Sequence, residues 1–280
     1  MEDFRLFTSL RYDPALLRVP HEGITDAGWN QKPSVFYMLD FHRDRLQRAA
    51  THWGWASAIE VIAGDEGLKR LEEYLEGVVA DLAGVPHRIK VELSRDGVLS
   101  HQKSPVAETP LDNLFPEYLP RPGQEGPSAQ TGSGRAPFKT PEYEVLVDSQ
   151  HTAKSEFTHY KTTRRAMYDG ARARAGLAPV DRKEVLLFND QDGSVMEGSL
   201  TTCYFWRDGK WVTPVVPREY TADQGSGGND GTTRRWALER GLVAEQNVKA
   251  SSLVDDEECW ISNGVRGFMF GRVKLDMSEK

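Results

Sequence analysis

The segment LPRPGQEGPSAQTGSGRAP, from Leu119 to Pro137, interrupts the apolar patterning of the chain near its middle. Proline, glycine, serine and glutamine dominate it, and a segment of this composition buries too little apolar surface to fold by itself. We therefore expect a flexible linker at residues 119–140. It divides the 280-residue chain into a small N-terminal α+β domain, residues 1–118, and a large C-terminal domain, residues 141–280.

The N-terminal part mixes strand-like and helix-like patterns. In HRIKVEL the apolar residues Ile89, Val91 and Leu93 alternate with polar ones, which is typical of a half-buried strand. The segment FHRDRLQRAA has the spacing of an amphipathic helix, and we expect a buried strand immediately before it, beginning at Phe36. This mixture of elements indicates an α+β unit.

The C-terminal part is predicted to contain a sheet and short helices. A strand is expected at Tyr143–Asp148, in YEVLVD. The stretch EVLLFNDQDGSVMEGSLTTCYFWRDGKWVTP, with Asp-Gly turns at 192–193 and 208–209, predicts a meander. A short helix is expected in GTTRRWALERG. The chain as a whole is therefore predicted to belong to the α/β class.

The charge balance and the cysteine content narrow the class of protein. The chain has 42 Asp and Glu against 35 Lys and Arg, a formal charge of −7, which argues against nucleic acid or an anionic membrane as the main partner. Cys203 and Cys259 show no metal-ligand spacing, so we expect no metal site and a reduced, cytoplasmic environment. No stretch approaches about eighteen apolar residues, and the N-terminus lacks a signal-like apolar run, so neither a membrane span nor secretion is expected.

Lys161 lies in FTHYKTTRRAMYDG, where aromatic and hydroxyl residues give way to a helical pattern. Most lysines at such a place are simply solvated. A lysine that forms a Schiff base needs a partly desolvated amine beside a carbonyl cofactor, and the neighbours Phe157, His159 and Tyr160 permit that environment. The sequence alone leaves both interpretations open.

Three further segments admit one structural and one functional interpretation each. Glu197, in MEGSLTTCYFW, is either a strand end or the carboxylate partner of a pyridinium nitrogen, as pyridoxal 5′-phosphate (PLP) enzymes require. The glycines before Thr232 and Thr233 form either a phosphate cradle at a helix N-terminus or a loop that ends in a threonine N-cap. Arg45, in HRDRLQRAA, is either a helix-surface arginine or a clamp for a phosphate.

The chain resembles class IV (fold-type IV) PLP enzymes in the order of six segments: FTSLRYDP, FHRDRLQRAA, FTHYKTTRRAMYDGARA, EVLLFNDQDGSVMEGSL, GTTRRWALERG and ISNGVRGFMFGRV. This family contains branched-chain and D-amino acid aminotransferases, R-selective amine transaminases and aminodeoxychorismate lyases. KTTRRAMYDGARA and SNGVRGFMFGRV are most similar to the aminodeoxychorismate lyase branch. The resemblance implies a two-domain α/β fold like that of D-amino acid aminotransferase, with PLP in the interdomain cleft, and a homodimer.

The resemblance also assigns roles in cofactor binding. Lys161 would hold PLP as a Schiff base and, once released, would move protons. Glu197 would pair with the pyridinium nitrogen of the cofactor. Arg45 would bind the phosphate together with Thr232 and Thr233, which stand where relatives carry a GITR-like motif.

Further roles follow from the same resemblance for the turn near the C-terminus and for two arginines. Asn263 and Gly264 would close the phosphate or substrate side of the site. Arg266 and Arg11 are candidates for binding substrate carboxylates, and a structural salt bridge is the alternative for each. Ala166 stands where aminotransferase relatives often place a tyrosine that contacts the cofactor.

The reaction implied by the resemblance is the conversion of 4-amino-4-deoxychorismate into 4-aminobenzoate and pyruvate, a step toward folate. Two alternatives remain open from the residues. One is a transaminase acting on D-amino acids or R-amines, which would use the same Lys161 and Glu197. The other is a non-catalytic relative that acts as a binding protein.

Overall fold

The computed structural model describes residues 4–22, 24, 33–82, 84–125, 134–178 and 180–275. The chain forms two compact units. Unit 1 comprises residues 1–111 together with 160–164, and unit 2 comprises residues 112–159 together with 165–280. No helix within the described ranges is long and apolar enough to cross a membrane.

Unit 1 combines a three-stranded antiparallel sheet with three α-helices. The strands are β1 (Leu6–Tyr12), β2 (His87–Leu93) and β3 (Leu99–Pro105), with β2 in the middle. A 3-10 helix over Pro14–Glu22 precedes α1 (Leu39–His52), α2 (Ala56–Ile62) and α3 (Gly64–Val79). The predicted alternation of β2 is confirmed, since its apolar residues are buried against the apolar face of α3.

The strand predicted immediately before α1 is absent from the described residues, and this prediction is wrong. Phe36 forms an isolated bridge with Tyr12, and the helix begins at Leu39. Met38 has a φ of 53°, a left-handed conformation that ends any extended run. Phe36, Tyr37 and Met38 are all buried, and a short apolar run does not distinguish a buried strand from a buried turn.

Residues 160–164 belong to unit 1 because they pair with β1. The N–H of Phe7 donates to the carbonyl of Lys161 at 3.0 Å, and the N–H of Thr163 donates to the carbonyl of Arg5 at 2.9 Å. These residues fall within the range that the sequence assigned to the C-terminal domain. The domain bounds at 118 and 141 stay predictions.

Unit 2 is built on an eight-stranded mixed sheet of strand order β6-β5-β4-β11-β10-β7-β8-β9. β4 runs parallel to both β5 and β11, and the short β9 runs parallel to β8. The strands are β4 (Tyr143–Thr152), β5 (Lys183–Asn189), β6 (Val195–Gly198), β7 (Thr202–Arg207), β8 (Lys210–Thr213), β9 (Ala244–Glu245), β10 (Glu258–Asn263) and β11 (Gly267–Lys274). The helices are α4 (Leu111–Leu114), α5 (Glu156–His159), α6 (Ala166–Arg174) and α7 (Thr232–Glu239).

The predicted meander is two separate hairpins, which corrects the expectation of one continuous run. β5 pairs with β6, and β7 pairs with β8, with the expected turns at Gly193 and at Asp208-Gly209 in left-handed conformations. Three other strands, β4, β11 and β10, lie between the two hairpins in the sheet. The two turns can therefore be predicted from the local sequence, whereas the position of each hairpin in the sheet cannot.

Parts of the predicted linker pack within unit 2, although its residues 121–125 are exposed. The indole Nε1 of Trp211 donates to the carbonyls of Leu119 and Pro120, both at 3.1 Å, and Ala136 is fully buried. The central residues 126–133 of the predicted linker lie outside the described residues.

Candidate active site

Lys161 of unit 1 lies on a backbone segment that is fixed by β1. Its carbonyl accepts the hydrogen bond from Phe7, and its ammonium group lies 5.0 Å from the centre of the Phe7 ring. The side chain is partly buried. Partial burial matches one part of the environment that a Schiff-base lysine needs, a partly desolvated amine.

A buried hydrogen-bond chain connects β1 to α1 in the same unit. The guanidinium Nη2 of Arg45 donates to Thr8 Oγ1 at 2.5 Å, and Thr8 Oγ1 lies 2.6 Å from Nδ1 of His42. His42 and Arg45 are three residues apart on α1 and therefore share one face of the helix. Thr8 and His42 are fully buried, and Arg45 is nearly so.

The hydrogen-bond chain accounts for one of the two ring nitrogens of His42. Arginine only donates, so Thr8 Oγ1 accepts from Arg45, and the same hydroxyl meets Nδ1 of His42. His42 Nε2 is a buried atom with no hydrogen-bond partner among the described residues. Burial first, and then the positive charges of Arg45 and Lys161, hold the pKa of His42 well below its ordinary value.

Glu197 of unit 2 lies near the end of β6, opposite Leu187 of β5. Its Oε1 accepts a hydrogen bond of 2.6 Å from the Tyr168 hydroxyl and one of 3.1 Å from the backbone N–H of Asn229. Two donors on one oxygen favour the ionised form of the carboxyl group. An ionised and oriented carboxylate is what a pyridinium nitrogen would need as a partner.

The turn that follows Glu197 is built around the buried carboxylate of Glu184 on β5. Ser199 donates to Oε1 of Glu184 through its N–H at 3.0 Å and its hydroxyl at 2.5 Å. Oε2 accepts from the Leu200 N–H at 3.2 Å and the Thr201 hydroxyl at 2.8 Å. A Cβ on Gly198 would lie 2.4 Å from Thr201 Oγ1, so only glycine fits this position. Glu184 therefore fixes the chain that leaves β6.

The N-terminus of α7 carries the two predicted threonines. Its N-cap residue is Gly231, which has no side chain to satisfy the first N–H groups. Thr233 Oγ1 bonds Ser262 Oγ at 2.7 Å, whereas Thr232 Oγ1 is buried and has no partner among the described residues. A buried hydroxyl and open backbone N–H groups at a helix N-terminus suit an anion.

The turn between β10 and β11 follows Asn263, the last residue of β10, and contains Gly264 and Arg266. Asn263 Oδ1 accepts the N–H groups of Val265 at 3.0 Å and Arg266 at 2.9 Å, so this side chain shapes its own turn. Gly264 is buried within it. Within the described chain, the guanidinium of Arg266 makes no hydrogen bond or ion pair, and it lines a small polar pocket with Arg172 and Thr201.

Arg11 has a different environment from Arg266. It is fully buried in unit 1, where its guanidinium forms an ion pair with Asp13 at 2.6 Å and donates to the carbonyl of Ala107 at 3.0 Å. This arrangement favours the structural salt bridge that the sequence left open as the alternative.

The predicted residues fall in both units. Arg45, Lys161 and Arg11 are in unit 1, and the others are in unit 2. Within unit 2, Asn229 contacts Glu197 and lies three residues before Thr232. Asn229 therefore connects the predicted partner of the ring nitrogen with the predicted phosphate site. The sequence missed Thr8, His42, Tyr168 and Asn229. Only His42 had a local signal, its i,i+3 spacing from Arg45.

The fold and these groups define a mixed α/β enzyme of the aminotransferase class IV kind. Residues 28–272 match the family model for amino-transferase class IV. Because the match spans most of the chain, the chain belongs to this family.

Known proteins are similar to the chain in sequence or in fold. The aminodeoxychorismate lyase of Saccharomyces cerevisiae is 32% identical over 148 residues, which are 47% of this chain and 37% of the yeast protein. A candidate amino-acid aminotransferase from Mesorhizobium loti has a TM-score of 0.62 at 20% identity, covering 97% of this chain and 100% of its own. A PLP-bound aminotransferase from Mycobacterium tuberculosis, described as hypothetical, has a TM-score of 0.55 at 16% identity and coverages of 97% and 81%. The two structures support the fold.

The residues present fit the cofactor that this family implies. The buried hydroxyl of Thr232, at an uncapped helix N-terminus, suits a phosphate group. The twice hydrogen-bonded Glu197 suits a protonated ring nitrogen, and the partly buried Lys161 suits a carbonyl. Within the described ranges, no cluster of three or more His, Cys, Asp or Glu is placed to hold a metal ion.

Proposed function

We propose that the chain is a PLP-dependent lyase that converts 4-amino-4-deoxychorismate into 4-aminobenzoate and pyruvate. The 32% identity to the yeast aminodeoxychorismate lyase is the observation that supports this substrate. The surroundings of Lys161 and Glu197 support the cofactor. Because the chain spans well under two thirds of the yeast protein's length, the activity is a proposal for this chain.

Bound PLP would supply a carbonyl group for attachment and a ring that accepts electron density from the substrate. Lys161 would hold the cofactor at that carbonyl through Nζ, and its free amine would take the proton from the substrate ring carbon that carries the amine. Glu197 would keep the cofactor's ring nitrogen protonated. Thr232, Thr233 and Arg45 would bind the phosphate.

The substrate would need orientation more than activation. Loss of its enolpyruvyl group as pyruvate leaves an aromatic ring, which supplies driving force, so the protein mainly holds the reacting groups and moves protons. Of the two candidate arginines, Arg266 suits a substrate carboxylate better, because it lines a small polar pocket without a hydrogen bond or ion pair among the described residues, whereas Arg11 is paired with Asp13. Asn263 and Gly264 would shape the turn that carries Arg266.

Several parts of the proposal rest on the resemblance alone. These are a homodimer, a cytoplasmic location, a place in folate biosynthesis and a cofactor position between two domains. They are independent of the local contacts around Lys161 and Glu197.

The product distinguishes the lyase from the transaminase. Purified protein is incubated with aminodeoxychorismate and PLP in the absence of an amino acceptor, and 4-aminobenzoate is measured. Its formation supports the lyase. If the pyridoxamine form of the cofactor and a keto acid accumulate from an amino donor instead, the transaminase is the correct reading.

The visible spectrum tests the cofactor itself. We expect a yellow protein whose absorption band disappears on borohydride reduction. The reduction should leave the cofactor covalently attached to Lys161. Lys161→Ala should lose both the band and the activity, whereas Lys69→Ala, an exposed lysine on α3, should keep both. A colourless wild-type protein that PLP does not reconstitute would reject both enzymatic readings and favour the non-catalytic alternative.

A further inference from the structure

Tyr168 is a buried tyrosine on α6 whose hydroxyl reaches Glu197. Its ring packs among the apolar side chains of Val185, Leu187 and Met196. The phenol oxygen lies 2.6 Å from Glu197 Oε1 and 3.1 Å from the carbonyl of Thr158. The phenol has one proton, which it donates to Glu197, because that contact is the shorter one and its acceptor is a carboxylate.

A second donor meets the same carboxylate oxygen from another segment. The backbone N–H of Asn229 donates to Glu197 Oε1 at 3.1 Å, and the side chain of Asn229 donates through Nδ2 to the carbonyl of His159 at 2.7 Å. Asn229 is therefore anchored independently of Glu197. The carboxylate is held between a helix and an anchored loop, rather than by the rotamer preference of a single side chain.

We propose that Tyr168 is a positioning residue for Glu197, which it holds as an oriented carboxylate aimed at the ring nitrogen of the cofactor. This inference rests on the proposed function, because it needs a cofactor with a ring nitrogen. Nothing in the sequence assigned Tyr168, which lies seven residues after Lys161 in a helix of mixed polarity.

The charge state of the pair agrees with this role. Burial first, and then the negative charge of Glu197, raise the pKa of Tyr168 well above its ordinary value. The proton therefore stays on the tyrosine, whose hydroxyl remains a donor to Glu197. Removing the hydroxyl would take away the donor that Tyr168 supplies to Glu197 while leaving the aromatic ring in its apolar surroundings.

A pair of ligands isolates the contact to the ring nitrogen. The dissociation constants of PLP and of its carbocyclic analogue, in which carbon replaces the ring nitrogen, are measured for the wild-type protein and for Tyr168→Phe. We expect the variant to bind PLP about tenfold more weakly, the worth of one hydrogen bond to a charged group, and to bind the carbocyclic analogue as the wild type does. Glu197→Gln should behave like Tyr168→Phe: it should bind PLP more weakly than the wild type does and bind the carbocyclic analogue equally well.

Tyr204 provides a matched control for tyrosine replacement. It is also fully buried in unit 2, and its hydroxyl bonds Ser262 Oγ at 2.8 Å rather than a carboxylate. Tyr204→Phe should leave the ratio of the two dissociation constants at its wild-type value. An equal loss of both ligands in Tyr168→Phe would mean that Tyr168 acts only on the fold, and it would overturn the inference.

A measurement on the cofactor-free protein covers the case in which Tyr168→Phe does not fold. The hydroxyl proton of Tyr168 in the wild type should give a low-field NMR resonance that disappears in Glu197→Gln. Its absence from the wild-type spectrum would overturn the inference. A wild-type protein that shows this resonance but binds neither ligand would instead refute the proposed function.

Discussion

Thr8 Oγ1 lies 2.6 Å from Nδ1 of His42 and also accepts a hydrogen bond from Arg45, so one buried hydroxyl serves two buried polar side chains. Replacing Thr8 by valine keeps the shape and removes the hydroxyl. We expect Thr8→Val to lower the free energy of unfolding by about 1–3 kcal/mol, because Arg45 and His42 each lose a buried partner. Urea denaturation measures this.

Thr8→Ser is the matched control, because it keeps the hydroxyl and loses only a buried methyl group. It should cost about 1 kcal/mol, and the ¹⁵N spectrum of the His42 ring should keep the wild-type tautomer. If Thr8→Val were as stable as the wild type and left that tautomer unchanged, the hydrogen-bond chain would be refuted.

The depressed pKa of His42 predicts a pH-dependent stability. In the unfolded chain this histidine has its ordinary pKa of 6.5, whereas burial in the folded protein lowers its pKa well below that value. The unfolded state therefore binds more protons below that pH, and stability falls as pH falls from 6.5 toward the folded-state pKa. Between about pH 7.5 and about pH 5.5, His42 should account for a loss of about 1 kcal/mol.

The comparison that isolates this effect is His42→Gln, which removes the titrating ring. The difference in the free energy of unfolding between the two pH values should become smaller by that amount. His101→Gln, which replaces an exposed histidine on β3, should keep the wild-type difference. An unchanged pH dependence in His42→Gln would contradict the prediction.

We expect a large loss of stability when Glu184 is replaced by glutamine, although the two side chains have nearly the same shape. Glu184→Gln turns an acceptor oxygen into a donor that faces the N–H and hydroxyl donors of residues 199–201. We expect a loss of about 3 kcal/mol or more in chemical denaturation, because a buried charge network loses its central acceptor. The amides of Ser199 and Leu200 should also exchange faster with solvent.

Glu144→Gln is a control in the same sheet. Glu144 forms an exposed ion pair with Lys183 at 3.0 Å, and pairs of this kind contribute little to stability. The variant should change the free energy of unfolding by about 0.5 kcal/mol or less. Equal effects of the two substitutions would show that the Glu184 network does not fix the turn.

We expect replacement of Thr232 by valine to have opposite effects on stability and on PLP binding. Its buried hydroxyl lacks a partner among the described residues, so Thr232→Val should leave the free energy of unfolding unchanged or raise it. The same variant should weaken PLP binding about tenfold if the hydroxyl binds the phosphate. Binding is measured by fluorescence titration, and unfolding by urea denaturation.

The neighbouring Thr233 distinguishes the two roles. Its hydroxyl already bonds Ser262, so Thr233→Val should cost about 1 kcal/mol of stability. A Thr232→Val protein that binds PLP like the wild type would remove Thr232 from the proposed phosphate site.

The sequence determined the local elements and the main chemical candidates. Alternation in β2, the Asp-Gly turns and the helical spacing after Gly231 act over a few residues, and each is confirmed. The order of motifs also identified the family, because six matching segments in one order are far more specific than any single one. The roles of Lys161 and Glu197 within that family stay predictions.

The tertiary structure decided which of these elements meet. Periodicity encodes which face of a strand is buried but not which strand lies beside it, so the insertion of β4, β11 and β10 between the two hairpins was not readable. The same limit hid Tyr168, because its contact with Glu197 joins residues 29 positions apart. Such contacts depend on side-chain direction after packing, and packing is decided by the whole unit rather than by a short window of sequence.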